Sequence, residues 1–389
     1  MQWWPFSSNS ASNDRPSGVS YSRLSNSHTK VRPNKRCYMM FSKAILSTLV
    51  GILAFYVILF RTEFNARVYI RNWVYHKEIE NAGPLSDCFN LPSDSQYIRG
   101  YSHMYEITPG VPLTDGFTCY DFAATIQPRP KRKHDRVIYH SFFDAHKTFD
   151  EASYEVARSF FATQDSDDTS LYLWTNNLKL LNHPLIQKLK AIGGNRFEIE
   201  LYQPDDLALG TPLQGSTMLD APTEDNDVMQ LLILYRFGGV WFNNGVMFVR
   251  DVSPLFEHEW ILQGNCANAN GFDSSMMRFR RGSPYVCEML HDIGLTPPSK
   301  QLKPQALYTR IHRRLLQNAI RPWAMIPWCF TDPQACTSKL SLSTAFASKS
   351  ETRDRLRQIF AFNSHQKLDK KTEWIFQYLK EMYQSVLAQ

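Results

Sequence analysis

The sequence predicts an α/β domain built on a mostly parallel sheet, preceded by a single transmembrane helix and a stem. Three observations carry this expectation. From residue 136 onward, apolar strand-like runs alternate with helical ones, the pattern of βαβ units. Residues 44–60 (AILSTLVGILAFYVILF) form an uncharged run bounded by Lys43 and Arg61. Between the two lies a proline-broken stretch with little apolar periodicity. The 389 residues, 43% hydrophobic and 13% aromatic, suffice for a large core, which excludes wholesale disorder and a small disulfide scaffold.

Residues 1–43 are rich in Ser and Asn, carry Pro5, Pro16 and Pro33, and cannot bury enough surface to order themselves. They read as a disordered cytosolic tail. The run 44–60 is at the short end of what spans a bilayer, and residues 38–42 can extend it. A cleaved signal peptide fits less well, because its basic leader would exceed forty residues and no A-x-A-like site follows. Arg15, Arg23, Lys30, Arg32, Lys35, Arg36 and Lys43 precede the run against one acid, Asp14, whereas the far flank mixes both signs. The positive-inside bias then gives a type II single-pass protein with the remainder lumenal. Those seven basic groups and Asp14 account for the whole net charge of +6, so the rest is neutral and no nucleic-acid partner is expected. Cys88, Cys119, Cys266, Cys287, Cys329 and Cys336 would lie in an oxidising lumen, where three disulfides are allowed.

Residues 61–135 read as a stem, helical over 65–80 and loop-rich around Pro84, Pro92, Pro109 and Pro112. QPRPKRKHDR at 127–136 is a basic hinge. The domain at 136–389 begins with a buried strand, VIYHSFF at 137–143, then a helix at 151–163. A second strand (170–174), a helix (184–192) closed by Gly193-Gly194, and a third strand (197–202) follow. A helix at 227–237 and a strand at 240–242 complete the alternation, and an amphipathic helix at 373–387 closes the chain. In such sheets ligands are met beyond the carboxyl ends of the strands. There is no G-x-G-x-x-G and no G-x-x-x-x-G-K-[ST].

The most informative segment is DNDVMQLLILYRFGGVWFNNGVMFVRDVSPL at 225–255: a helix, a double-glycine turn, a buried strand and a polar end at Asn243-Asn244-Gly245. It resembles the DXD-containing sugar transferases of glycosyltransferase family 32, which includes the yeast initiating α-1,6-mannosyltransferase and has α-1,4-galactosyltransferase as a relative. Their pattern is roughly S-D-x-x-R, an apolar run, Y-x-x-G-G, then V/I-Y/W-x-D-x-D. VIYHSFF, LYLWTNN and SSMMRFRRGSP look like further landmarks, so the resemblance runs from Val137 to about Lys367.

The resemblance implies a GT-A-like nucleotide-binding fold, a nucleotide sugar as donor substrate, retention of anomeric configuration and a divalent cation, commonly Mn²⁺. A hard cation held by carboxylates neutralises the charge that grows on a diphosphate leaving group. The residues carried over as donor-binding are Asp227, Gln230, Gly239, Asn243, Asn244, Gly245 and Arg278, with Asn363, or His365 if the register shifts by two, near the C-terminus. His140 stands either at the nucleotide or in the core.

The chain departs from the pattern where Asn243 and Gly245 replace the two acids and Gln230 replaces the Arg, so Asn243 is the one metal-ligand position left. Three readings stay open. An active transferase would meet the diphosphate with Arg250, Arg278, Arg280, Arg281 or Lys367. A pseudoglycosyltransferase would act as a lumenal partner subunit or glycan-binding protein. A nearby acid, Asp251 or Asp273, would replace the missing ones. The expectation is a Golgi membrane transferase acting on a glycan or glycolipid acceptor, alone or in a Golgi transferase complex.

Overall fold

The computed structural model describes residues 35–59, 82–92, 95–97, 119–126, 136–144, 146–216, 219, 227–264, 271–295, 304–332, 349–364 and 373–388. The expected tail, helix 65–80, hinge 127–135, Cys266, Cys336, His365 and Lys367 lie outside them. The chain divides into two compact units, Met1–Thr62 and Glu63–Gln389.

The first unit contains α1 (Lys35–Leu59). Its described side chains, Met40 and residues 43–55, are all exposed, among them Ile45, Leu46, Leu49, Val50, Leu53 and Phe55. Among the described residues no helix is long and apolar enough to cross a membrane. The transmembrane helix expected at residues 44–60 is therefore not supported among them.

The second unit runs through α2 (Cys119–Thr125), β1 (Val137–Phe143), α3 (Glu151–Thr163), β2 (Thr169–Thr175), α4 (Pro184–Gly193), β3 (Phe197–Leu201) and α5 (Pro204–Ala208). It continues with α6 (Asp227–Phe237), β4 (Gly239–Phe242), β5 (Val246–Phe248), β6 (Trp260–Gln263), β7 (Phe272–Phe279), α7 (Pro284–Leu295) and α8 (Pro304–Gln317). Last come β8 (Ala324–Ile326), α9 (Lys349–Gln358), β9 (Ala361–Asn363) and α10 (Glu373–Leu387).

Local chemistry sets several of these boundaries. The Asp150 carboxylate caps α3 by accepting from Ser153 N at 2.8 Å. Pro184 opens α4, and Gly194, at φ +53°, ends it. Seven strands form one sheet in the order β3-β2-β1-β4-β7-β6-β8. β7 alone runs against the other six. The mostly parallel α/β sheet expected from the sequence is present; β6, β8, the antiparallel β7 and a small second sheet of β5 and β9 are additions to it.

Period-two alternation divides the sheet between two cores. Tyr139, Phe143, Leu171, Leu173, Val240 and Phe242 enter one, with α3, α4 and α10. Phe142, Trp174, Trp241 and Met277 enter the other, with α6, α7 and α8. Helix α6 is buried on nearly every side, which explains its continuous apolar run.

Two pieces of the expected stem are fastened to this unit. Cys88 is bonded to Cys287 and Cys119 to Cys329. Behind the first bond, Arg314 donates to Glu288 Oε1, Asp292 Oδ1 and Ala82 O, each at 2.7 Å. Both carboxylates of this buried network face arginine, the condition under which burying such charges is tolerated.

Candidate functional site

The strand order turns back at β1: β2 and β3 lie on one side, β4 on the other. The carboxyl ends of β1, β2 and β4 therefore lie at a topological switch point, the place where sheets of this kind form a ligand crevice. Five half-exposed polar side chains stand at those ends and at the start of antiparallel β7: Asp144, Asn176, Asn243, Asn244 and Asp273.

The turn after β4 is held from all sides. Asn243 N donates to Ser275 O at 2.8 Å, and Val246 N closes the turn on Asn243 O at 2.9 Å. The Asn243 carboxamide oxygen accepts from the Trp241 indole at 2.7 Å. Asn244 donates to Phe142 O at 3.0 Å, and its oxygen accepts from the Ser141 hydroxyl at 3.4 Å. Gly245 O accepts from Ser364 N at 2.9 Å and from its hydroxyl at 3.0 Å.

Two carboxylates flank this turn. Asp144 accepts from Asn176 Nδ2 at 2.7 Å and from His146 N at 3.0 Å. Partial burial pushes its pKa up, but these two hydrogen bonds, with His146 and Lys147, outweigh that and hold it below the usual carboxylate value. It is thus an anion at neutral pH. Asp273 accepts from Ser275 N at 2.8 Å and from Asn363 Nδ2 at 3.3 Å. Asn363 also donates to the Ser275 hydroxyl at 2.7 Å. Asp227, at the start of α6, accepts from the Tyr308 hydroxyl at 2.9 Å. Burial and the neighbouring Asp227 push that phenol far above its ordinary range. One turn on, Gln230 is 2% exposed and its carbonyl oxygen has no hydrogen-bond partner.

Several expected site residues are placed elsewhere. His140 is fully buried: its Nε2 is 2.8 Å from Gly238 O, and its Nδ1 accepts from the Trp174 indole at 3.1 Å. Burial pushes its pKa down to about 4, so it is a neutral core histidine and does not face the crevice. Gly239 lies at the amino end of β4, away from the crevice. Its φ is +104°, and a Cβ there would stand 2.0 Å from Ile138 O, so the double glycine serves the turn. Arg278 pairs with Val240, at the same far edge, and donates to His258 O at 2.8 Å over the Phe256 ring. Arg280 and Arg281 follow it at that edge, and Arg280 donates to Glu257 O at 3.2 Å. Arg250 turns into the carboxyl end of α2, donating to Ala123 O and Ile126 O, and stacks 3.7 Å from the Phe360 centroid. Asp251 caps its own loop through Ser253 N at 3.0 Å.

The sequence missed Asp144, although the first acid after a parallel strand was the signal for it. Asp273 enters from the sequence only as a substitute acid.

These residues do not fit the divalent metal that the resemblance implies. Among the described residues no group of three or more His, Cys, Asp and Glu converges. The Asn243 oxygen accepts from Trp241, the Gly245 carbonyl accepts twice from Ser364, and position 245 has no side chain. Replacing carboxylates by an engaged carboxamide and a glycine removes the negative charge a hard cation requires.

No family model matches the chain, and no curated protein does. Its neighbours among solved structures include glycosyltransferases. The PaToxG glycosyltransferase is 12% identical, covering 69% of this chain and 91% of its own, with a TM-score of 0.31. The galactosyltransferase LgtC, solved with donor and acceptor sugar analogs, is 12% identical over 64% of this chain and 95% of its own, at 0.35. The bifunctional glycosyltransferase WbbM is 8% identical over 66% of this chain and 50% of its own, at 0.40.

Proposed function

We propose that this chain is a type II membrane glycosyltransferase of the family 32 kind, with a GT-A-like domain. It moves a sugar from a nucleotide-sugar donor to a glycan or glycolipid, with retention, in the Golgi lumen. The observation that carries the reading is the set Asp144, Asn176, Asn243, Asn244 and Asp273 at the carboxyl ends of β1, β2 and β4 and the start of β7. Carboxylates held by backbone donors, beside carboxamides fixed by an indole, a hydroxyl, a backbone carbonyl and a carboxylate, suit the hydroxyl-rich ribose and sugar of such a donor. Asp273 serves as the carboxylate nearest the transferred sugar. Gln230 supplies a buried acceptor, and Asp227 holds Tyr308 beside β7.

The donor site works without a metal on the turn. For the diphosphate, His365 and Lys367 remain expectations from the sequence alone and lie outside the described residues. The uncharged run at 44–60 and its basic amino-terminal flank support the anchor. The cysteine usage supports the lumenal side.

A panel of nucleotide sugars incubated with the full chain in detergent, with and without Mn²⁺, tests the reading by release of free sugar or nucleotide. Slow donor hydrolysis that Asp273→Asn abolishes is expected. Nucleotide binding without turnover under any condition would replace the enzyme with a pseudoglycosyltransferase. The absence of both would overturn the proposal.

A further inference from the structure

The turn at Asn243–Gly245 is not held by its own sheet alone. Ser364, which bonds Gly245 O through both its amide and its hydroxyl, directly follows β9. Asn363, the last residue of β9, fixes Ser275 and Asp273. Strand β9 is short and pairs only with β5 among the described residues, at Val246↔Asn363 and Phe248↔Ala361. What fixes its other edge is the segment that follows β8. Phe360 N donates to Phe330 O at 2.8 Å, and Asn363 N to Thr331 O at 2.9 Å.

That segment is in turn clamped to α2. Cys329 is bonded to Cys119, the Tyr120 hydroxyl donates to Asp332 O at 2.8 Å, and Phe122 packs 5.9 Å from Phe330. Arg250 closes the loop, donating to the carboxyl end of α2 while stacking on Phe360.

We propose that the Cys119–Cys329 pair positions the crevice: by holding residues 328–332 it sets β9, and β9 sets Gly245, Ser275 and Asp273. A piece of chain ahead of the first strand of the domain is thereby part of the site's support. The inference rests on the proposed function only for its affinity readout.

The molecule supplies its own control. Cys88–Cys287 and Cys119–Cys329 close loops of 199 and 210 residues, so each removes nearly the same entropy from the unfolded chain. The first fastens residues 82–90 to α7 and α8. A lesion that acted only through global stability would therefore act alike from either pair.

The experiment is hydrogen exchange, on the full chain in detergent, at the amides of Phe360, Asn363 and Ser364 in C119S/C329S and C88S/C287S, with titration of a nucleoside diphosphate. Exchange at these amides is expected to rise at least tenfold in C119S/C329S and less than threefold in C88S/C287S, with affinity falling about tenfold only in the former. Equal exchange in the two variants, or none above wild type in C119S/C329S, would overturn the proposal. Should C119S/C329S not fold, Tyr120→Phe removes the Asp332 contact and keeps the disulfide; faster exchange at Asn363 supports the proposal and unchanged exchange overturns it. If the wild type binds no nucleotide, the proposed function fails while the exchange comparison still decides this one.

Discussion

His140 shows how a residue's surroundings settle its role. It sits in the strand expected to deliver residues to the ligand, yet period-two alternation turns it into the core, between the Trp174 indole and Gly238 O. Its pKa near 4, against about 6.5 in an unfolded chain, means the unfolded state binds the proton first. Stability is then fully present above about pH 6.5 and is lost as pH falls toward 4, by on the order of 3 kcal/mol. Thermal melts across that range should show the loss in the wild type and much less of it in a folded His140→Gln. Gln230 makes the opposite case. An unpaired buried carbonyl costs about 1–3 kcal/mol, and such costs persist where a ligand uses the group. Gln230→Met should raise the melting temperature by several degrees and weaken nucleotide binding. Unchanged binding would remove Gln230 from the site. At this scale the sequence revealed Asn243 and Asn244, because a polar pair directly after a buried strand is a local signal. It hid the pairing of Asp273 with Asn363, which joins residues 90 positions apart.

At the scale of elements, most of the parallel half of the sheet was legible. Strands 137–143 and 240–242 are buried on both faces, so their runs are continuously apolar, and caps such as Asp150 and Gly194 punctuate the helices. β5, β8 and β9 were not legible: each is three residues long, and each is a strand only because of a distant partner. The sequence makes the double glycine a turn, and the resemblance alone carries Gly239 over to the donor site. Its geometry assigns it to the entry of β4. Gly239→Ala would force a Cβ onto Ile138 O at φ +104°, and should cost more than about 3 kcal/mol. Denaturant unfolding measures this; a loss below 1 kcal/mol would mean that β1 and β4 can separate there.

For the whole molecule, the boundary at residue 135 between stem and domain is the expectation with the largest consequence. Residues 82–90 and 119–126 contribute buried side chains, two disulfides and the Arg250 contact to the second unit. The proline-rich composition that suggested a stem reports irregular backbone, and irregular backbone can be packed. A chain beginning at Arg136 should therefore express poorly or melt well below one beginning at Glu63, with exposed Cys287 and Cys329 thiols that a thiol reagent would titrate. Equal melting temperatures would mean that the stem pieces only decorate the domain.

The central claim is a nucleotide-sugar crevice at the carboxyl ends of β1, β2 and β4 that needs no metal on its turn. Calorimetric titration of the full chain with nucleotide-diphosphate sugars, in Mn²⁺ and in EDTA, tests it most directly. The account predicts binding of at least one donor with the same affinity in both buffers, weakened at least tenfold by Asp144→Ala. Binding that appears only with Mn²⁺, or no binding of any donor in either buffer, would contradict it.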